Sequence, residues 1–213
     1  MTWTRRILVG SFLAAACTEP VAPFRSPRYP FTGKFGDVFH WPADRLPVRV
    51  YPDARGDLRA LAANAIGLWE RQFLYGEFRG VIVNDSNTAD VIVRWTDSVP
   101  PATEPDPGPP VPACGGVTQL IIDSTGVALA GPLEIEITIF AGTVFTDGQV
   151  EACVRRTTVH ELGHALGLFQ HATDTLAIMF ATPLVNEPAP IDQRTVQVLY
   201  HTPSTLAPPP QRP

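Results

Sequence analysis

Residues 160–171 read H-E-L-G-H-A-L-G-L-F-Q-H, and no other stretch limits the folding of this chain as much. Three of the five histidines in the sequence fall within it. Side chains four apart lie on one face of an α-helix, so His160 and His164 can aim two imidazoles at one point. Two neutral imidazoles on one face suit zinc, and Glu161 beside them is a carboxylate that need not be a ligand. Gly167 can end the helix in a left-handed turn, a conformation that glycine adopts cheaply. Such a turn returns His171 towards the pair as a third nitrogen ligand. Three protein ligands leave the fourth tetrahedral position to water, the arrangement of a catalytic zinc site rather than a structural one.

The rest of the chain must build a core around that helix. A length of 213 residues with 45% apolar and 17% charged side chains is enough for one domain with a full core. Zinc is therefore expected to serve chemistry more than folding. A formal charge of -5 and a single lysine, Lys34, exclude a basic stripe and argue against nucleic acid as a partner.

Residues 1–16 have the form of an export signal: Arg5 and Arg6, then an apolar run over 7–16 too short to span a membrane. The run ends Leu13-Ala14-Ala15-Ala16-Cys17, which resembles the lipobox of bacterial lipoproteins, with Ala14 where leucine is usual. The segment around Arg5-Arg6 also weakly resembles a twin-arginine signal. The expectation is a membrane-anchored lipoprotein lipidated at Cys17; cleavage near Ala16 and free secretion is the other outcome of the same signal. Export leaves Cys114 and Cys153 as an even pair in an oxidising compartment, where a disulfide is the default. Two free thiols, or Cys114 as a thiolate ligand, are the alternatives.

Residues 18–47 carry prolines and aromatics without a period and suggest a tether and an N-terminal wrap. A first strand at 46–51 precedes a helix at 58–73, whose Leu58, Leu61, Ala62, Ala65, Ile66, Trp69 and Phe73 recur at helical spacing. Strands are expected at 78–83 and 90–95 around the turn residues 84–87, and again at 117–122 and 133–140. In the last of these, Glu134 and Glu136 alternate with isoleucines as a solvated face. Residues 99–112 include seven prolines and predict a stiff extended loop. A linker at 141–149 leads into the histidine helix, predicted over 150–166. The result is an α+β domain: a mixed twisted sheet of about five strands, two main helices and a C-terminal helix. The crossover through the Trp69 helix makes its two flanking strands a parallel pair.

The pattern His160-Glu161-x-x-His164-x-x-Gly167 with His171 resembles the metzincin zinc peptidases, especially the small matrixin-like bacterial members. That family's third histidine falls at the position of Gln170, and here it comes one residue later. Ala177-Ile178-Met179-Phe180 resembles the family's Met-turn, whose methionine floors the zinc site, and residues 191–200 resemble its C-terminal helix. The resemblance runs in order over about 46–200, with its specific motifs confined to 159–179. It implies a zincin fold and a zinc endopeptidase acting on protein or peptide substrates. His160, His164 and His171 would hold Zn2+, Glu161 would act as general base, and an edge strand at 117–122 would bind extended peptide by β-augmentation.

Glu187 and Asp174 are rival third ligands, although Pro188 and Pro190 exclude a regular helix around Glu187. A surface lipoprotein that keeps the scaffold for metal or protein binding is the non-enzymatic alternative. His40 and His201 are expected to be surface or capping residues. The expected organisation is a signal at 1–16, a tether at 17–44, a monomeric peptidase domain at 45–202 and a proline-rich tail at 203–213.

Overall fold

The computed structural model describes residues 26–98, 113–140 and 145–210. The signal, Cys17, the proline loop at 99–112, residues 141–144 of the linker and the last three residues lie outside the described residues. Five strands form one sheet: β1 (Val48–Pro52), β2 (Gly80–Ile82), β3 (Val91–Ser98), β4 (Cys114–Gln119) and β5 (Leu133–Phe140). Their spatial order is β2-β1-β3-β5-β4. The first four run parallel, and β4 pairs antiparallel with β5 at the edge, from Cys114 opposite Ile139 to Gln119 opposite Glu134. Helices α1 (Leu58–Glu70) and α2 (Asp147–Ala165) lie against each other and against the strands, and α3 (Pro190–Tyr200) closes the chain's helical part. This is the expected α+β architecture, a mixed sheet of five strands with two main helices and a C-terminal helix.

Alternation decides the sheet's two faces. Val48, Val50, Val91, Val93, Leu133, Ile135 and Ile137 are buried, while Glu134 and Glu136 point to the half-exposed side. There Thr96 donates to Glu136 and Arg94 pairs with Glu134, as a solvated face would. The apolar stripe of α1, from Leu58 to Trp69, packs into the same core.

Several boundaries differ from the sequence expectation. Helix α1 stops at Glu70 rather than Phe73, because the chain tightens into Gln72 N→Trp69 O and Phe73 N→Glu70 O bonds while Phe73 stays buried. Helix α2 begins a turn earlier than expected, at Asp147. Thr146 accepts from Gln149 N at 3.4 Å while Gln149 Oε1 accepts from Thr146 N at 2.8 Å, a reciprocal cap written in the sequence as T-x-x-Q. Strand β4 starts at Cys114, not Val117, and ends at Gln119; Ile122 makes only an isolated bridge to Leu129. Two glycines, Gly115 and Gly116, mask that strand from a reading by β-propensity.

Residues on the far side of positions 45 and 202 also pack against the core. Tyr29, Phe31, Val38, Phe39 and Trp41 lie in the central core, so residues 26–44 form a strap, as an N-terminal wrap would. Leu206 is buried and Ala207 bridges to Ala128, so the segment after 202 packs as well. Which side chains such a wrap buries has no period to show it, because an extended segment buries residues wherever the core presents a hollow.

Candidate metal and active site

Helix α2 carries His160, Glu161 and His164, and its end is built to bring His171 back. Gly167 has φ of 106° and its N–H donates to His164 O at 2.9 Å; Leu168 N reaches Gly163 O at 3.2 Å. These are the two bonds of a Schellman cap. A side chain at position 167 would also strike the Phe39 carbonyl. The chain then reverses, and His171 Nε2 lies 3.3 Å from His160 Nε2 and 3.2 Å from His164 Nε2, with 3.1 Å between the latter two.

The tautomers follow from the outer hydrogen bonds. His160 Nδ1 donates to Ile178 O at 2.8 Å and His164 Nδ1 donates to Leu168 O at 2.5 Å. Their Nε2 atoms are therefore bare lone pairs. Burial drives His160 down to about 4, against its bond to Ile178 O, and burial followed by the His160 charge drives His164 down to about 3. Burial also lowers His171. Three uncharged nitrogens facing one another at these distances repel unless a cation sits among them. Tetrahedral zinc with Zn–N near 2.0–2.1 Å sets its nitrogens about 3.3 Å apart, so the donor set fits zinc in type, charge and spacing. Among the described residues it is the single cluster of three metal-capable side chains.

Glu161 is buried beside the triad. Its Oε2 accepts from Thr118 Oγ1 at 2.7 Å, and the Thr118 hydroxyl also lies 2.9 Å from the Glu161 carbonyl. Burial pushes the carboxyl up to about 7, against the lowering effect of that hydroxyl. A group poised there can take and release a proton near neutrality. Gly116 makes the approach of β4 possible, since a Cβ would lie 2.5 Å from Thr157 Cγ2 and 2.6 Å from Glu161 Oε1.

Met179 is fully buried under the histidines, and Gly163 leaves it room: a Cβ at 163 would meet its sulfur and Trp69. The turn holding Met179 is fastened by Asp192, which sequence analysis placed only in a helix. Asp192 accepts from Ile178 N and Ala189 N at 2.9 Å, from Met179 N at 3.4 Å and from Tyr29 OH at 2.9 Å. Burial raises its carboxyl, and these donors oppose the rise. Thr118, Gly116, Asp192 and Tyr29 were all absent from the predicted site; an acid at the third position of a proline-led helix was the one signal available for Asp192.

Other predicted residues fall as follows. Gln170, where the family pattern has histidine, instead donates to Thr32 O at 3.0 Å. Glu187 and Asp174 are exposed and outside the metal cluster, and Asp174 accepts from Leu176 N. Cys114 and Cys153 form a disulfide that joins β4 to α2 across 39 residues, which removes Cys114 as a ligand. His40 is half-buried against Tyr200, and its Nε2 contacts Thr202 O, while His201 is exposed and caps Gln197 O.

Two clefts flank the triad, and Glu161 and His171 line both. The larger, about 420 Å³, lies between the edge strand and a turn at 33–37, with Val117, Leu120, Ile122, Phe169 and Leu206 in its walls. The smaller is about 270 Å³ and runs between α2 and residues 181–184.

No family model and no curated protein matches the sequence. Among solved structures, the chain is similar to that of myroilysin at 15% identity and a TM-score of 0.42, over 77% of this chain and 96% of that one. It is similar also to high choriolytic enzyme 1, a hatching enzyme zinc-protease from the medaka fish Oryzias latipes, at 14% identity and a TM-score of 0.42, over 78% and 95% of the two chains.

Proposed function

We propose that this chain is a zinc-dependent endopeptidase of matrixin-like type, with His160, His164 and His171 as ligands and Glu161 as general base. The observation that carries the reading is the convergence of three Nε2 atoms, those of His160 and His164 held as bare lone pairs, beside a buried carboxyl poised near neutrality. Zinc in such a site supplies Lewis acidity, acidifying water and polarising a peptide carbonyl. Glu161 would hold the proton taken from water and deliver it to the leaving amine, with Thr118 orienting its carboxylate. The free edge of β4 would align an extended peptide by main-chain hydrogen bonds. Export, with lipid on Cys17, belongs to the same proposal; the Cys114–Cys153 disulfide supports an oxidising compartment.

Metal analysis and peptide cleavage test it together. The wild type should bind one zinc per chain, and His171→Ala should lose it. Glu161→Gln should keep zinc and lose about 10²-fold or more in kcat/KM. Zinc bound with full cleavage by Glu161→Gln would remove the general-base role. Zinc bound without cleavage by the wild type would favour the non-enzymatic scaffold.

A further inference from the structure

The two clefts beside the triad differ in kind. The larger is walled by apolar side chains, whereas the smaller receives Arg156, one helical turn before His160 on α2. Arg156 is half-buried, and among the described residues its guanidinium makes no hydrogen bond and no ion pair. Other arginines do find carboxylates: Arg45 and Arg49 reach Asp90, Arg94 reaches Glu134 and Arg155 reaches Glu151.

A guanidinium carries five donors and keeps its proton at any ordinary pH. The Arg156 nitrogens are not among the buried polar atoms left without a partner, so they stay open to the cleft, where a carboxylate could accept a two-pronged hydrogen bond. Glu161 lines the same cleft, but it forms no ion pair with Arg156 and its Oε2 is held by Thr118. The remaining polar side chains there, Thr157 and Thr182 among them, are neutral.

We propose that Arg156 makes this cleft a subsite for an acidic side chain, Asp or Glu, adjoining the cleaved bond of a peptide substrate. The proposal rests on the peptidase reading above. A free C-terminal carboxylate offers the same chemistry, and C-terminal amidation separates the two sources.

Matched C-terminally amidated peptides carrying Asp, Glu, Asn or Gln beside the cleaved bond test the assignment, with products mapped by mass spectrometry. The acidic residue should be preferred at one flanking position by about 10-fold or more in kcat/KM over its amide. The preference should vanish in Arg156→Gln and persist in part in Arg156→Lys. Fluorescence anisotropy of the same peptides on the zinc-loaded Glu161→Gln protein provides a readout without turnover. Tighter binding of the acidic peptide, lost with a second Arg156→Gln change, is expected there. Equal cleavage and equal affinity for acid and amide would overturn the subsite while leaving the peptidase reading intact. An affinity difference without cleavage by the wild type would uphold the subsite for carboxylate binding and remove the peptidase reading. A preference seen only with free C-termini would overturn the side-chain assignment.

Discussion

Glu161 sits where burial and a single hydroxyl oppose each other. The Thr118 bond favours the charged carboxylate, so Thr118→Val should raise the Glu161 pKa above about 7. The acid limb of the activity profile should then move to higher pH, with kcat/KM at pH 7 down about 10-fold and partly restored at pH 8.5. The histidines predict a second pH effect, this time on the zinc-free protein. Their folded-state values lie below the unfolded value of 6.5, near 4 for His160, so protons bind the unfolded chain preferentially. The histidine contribution to stability is full above pH 6.5 and is lost as the pH falls towards 4, by on the order of 3 kcal/mol from His160 alone, while the raised carboxyl of Glu161 offsets part of that loss. Urea unfolding at pH 7.5 and 4.5 should show that loss, and a His160→Gln protein should show less of it. These charges are invisible to sequence spacing, which places imidazoles on one face but says nothing of the carbonyls that set their tautomers.

At the scale of elements, the zinc ligands depend on how α2 ends and on what fastens the methionine turn. Asp192 holds Ile178 N and Met179 N, and the Ile178 carbonyl in turn orients His160. Asp192→Ala should therefore weaken zinc affinity about 10- to 100-fold with the three ligands intact, measured by competition against a chelator of known affinity. An unchanged affinity would reduce Asp192 to a helix cap. The strands and α1 were readable from β-branched runs, alternation and helical spacing, since burial of one face imposes those periods, whereas α2 was read from its histidine spacing and α3 from the family resemblance. Their ends were not: β4 opens on Cys114-Gly115-Gly116, where close approach of α2, rather than propensity, selects the residues.

For the whole molecule, the strap over 26–44 matters most. Trp41 Nε1 donates to Ala165 O at 3.0 Å at the end of α2, and Phe169 N reaches Phe31 O at 3.1 Å. The strap thereby grips the end of α2 and the chain two residues before His171. Burying its five core side chains contributes about 1.5–3 kcal/mol each, which together matches the total stability of an ordinary domain. A chain beginning at residue 45 should fail to fold, seen as loss of near-ultraviolet dichroism and rapid proteolysis. Reducing the Cys114–Cys153 bridge should be milder, costing about 4 kcal/mol at most for a loop of 39 residues, measured as a lower denaturant midpoint.

Chemistry at short range in sequence was determined by the sequence itself. His160, Glu161 and His164 share a helix, and a glycine at 167 lets the chain turn, so two ligands and a carboxylate follow from helical period alone. Whether His171 could join them across the extra residue depended on a loop, and loops are set by what they pack against. The strap took up that residue by binding Gln170 to Thr32, which left His171 facing the pair. Arg156 lies one helical turn before His160 on α2 itself, whereas Thr118 and Asp192 entered the site region in the same way, brought from strand edge and distant helix by tertiary contact. Such long-range placements have no period to betray them; only the folded chain decides which side chains meet.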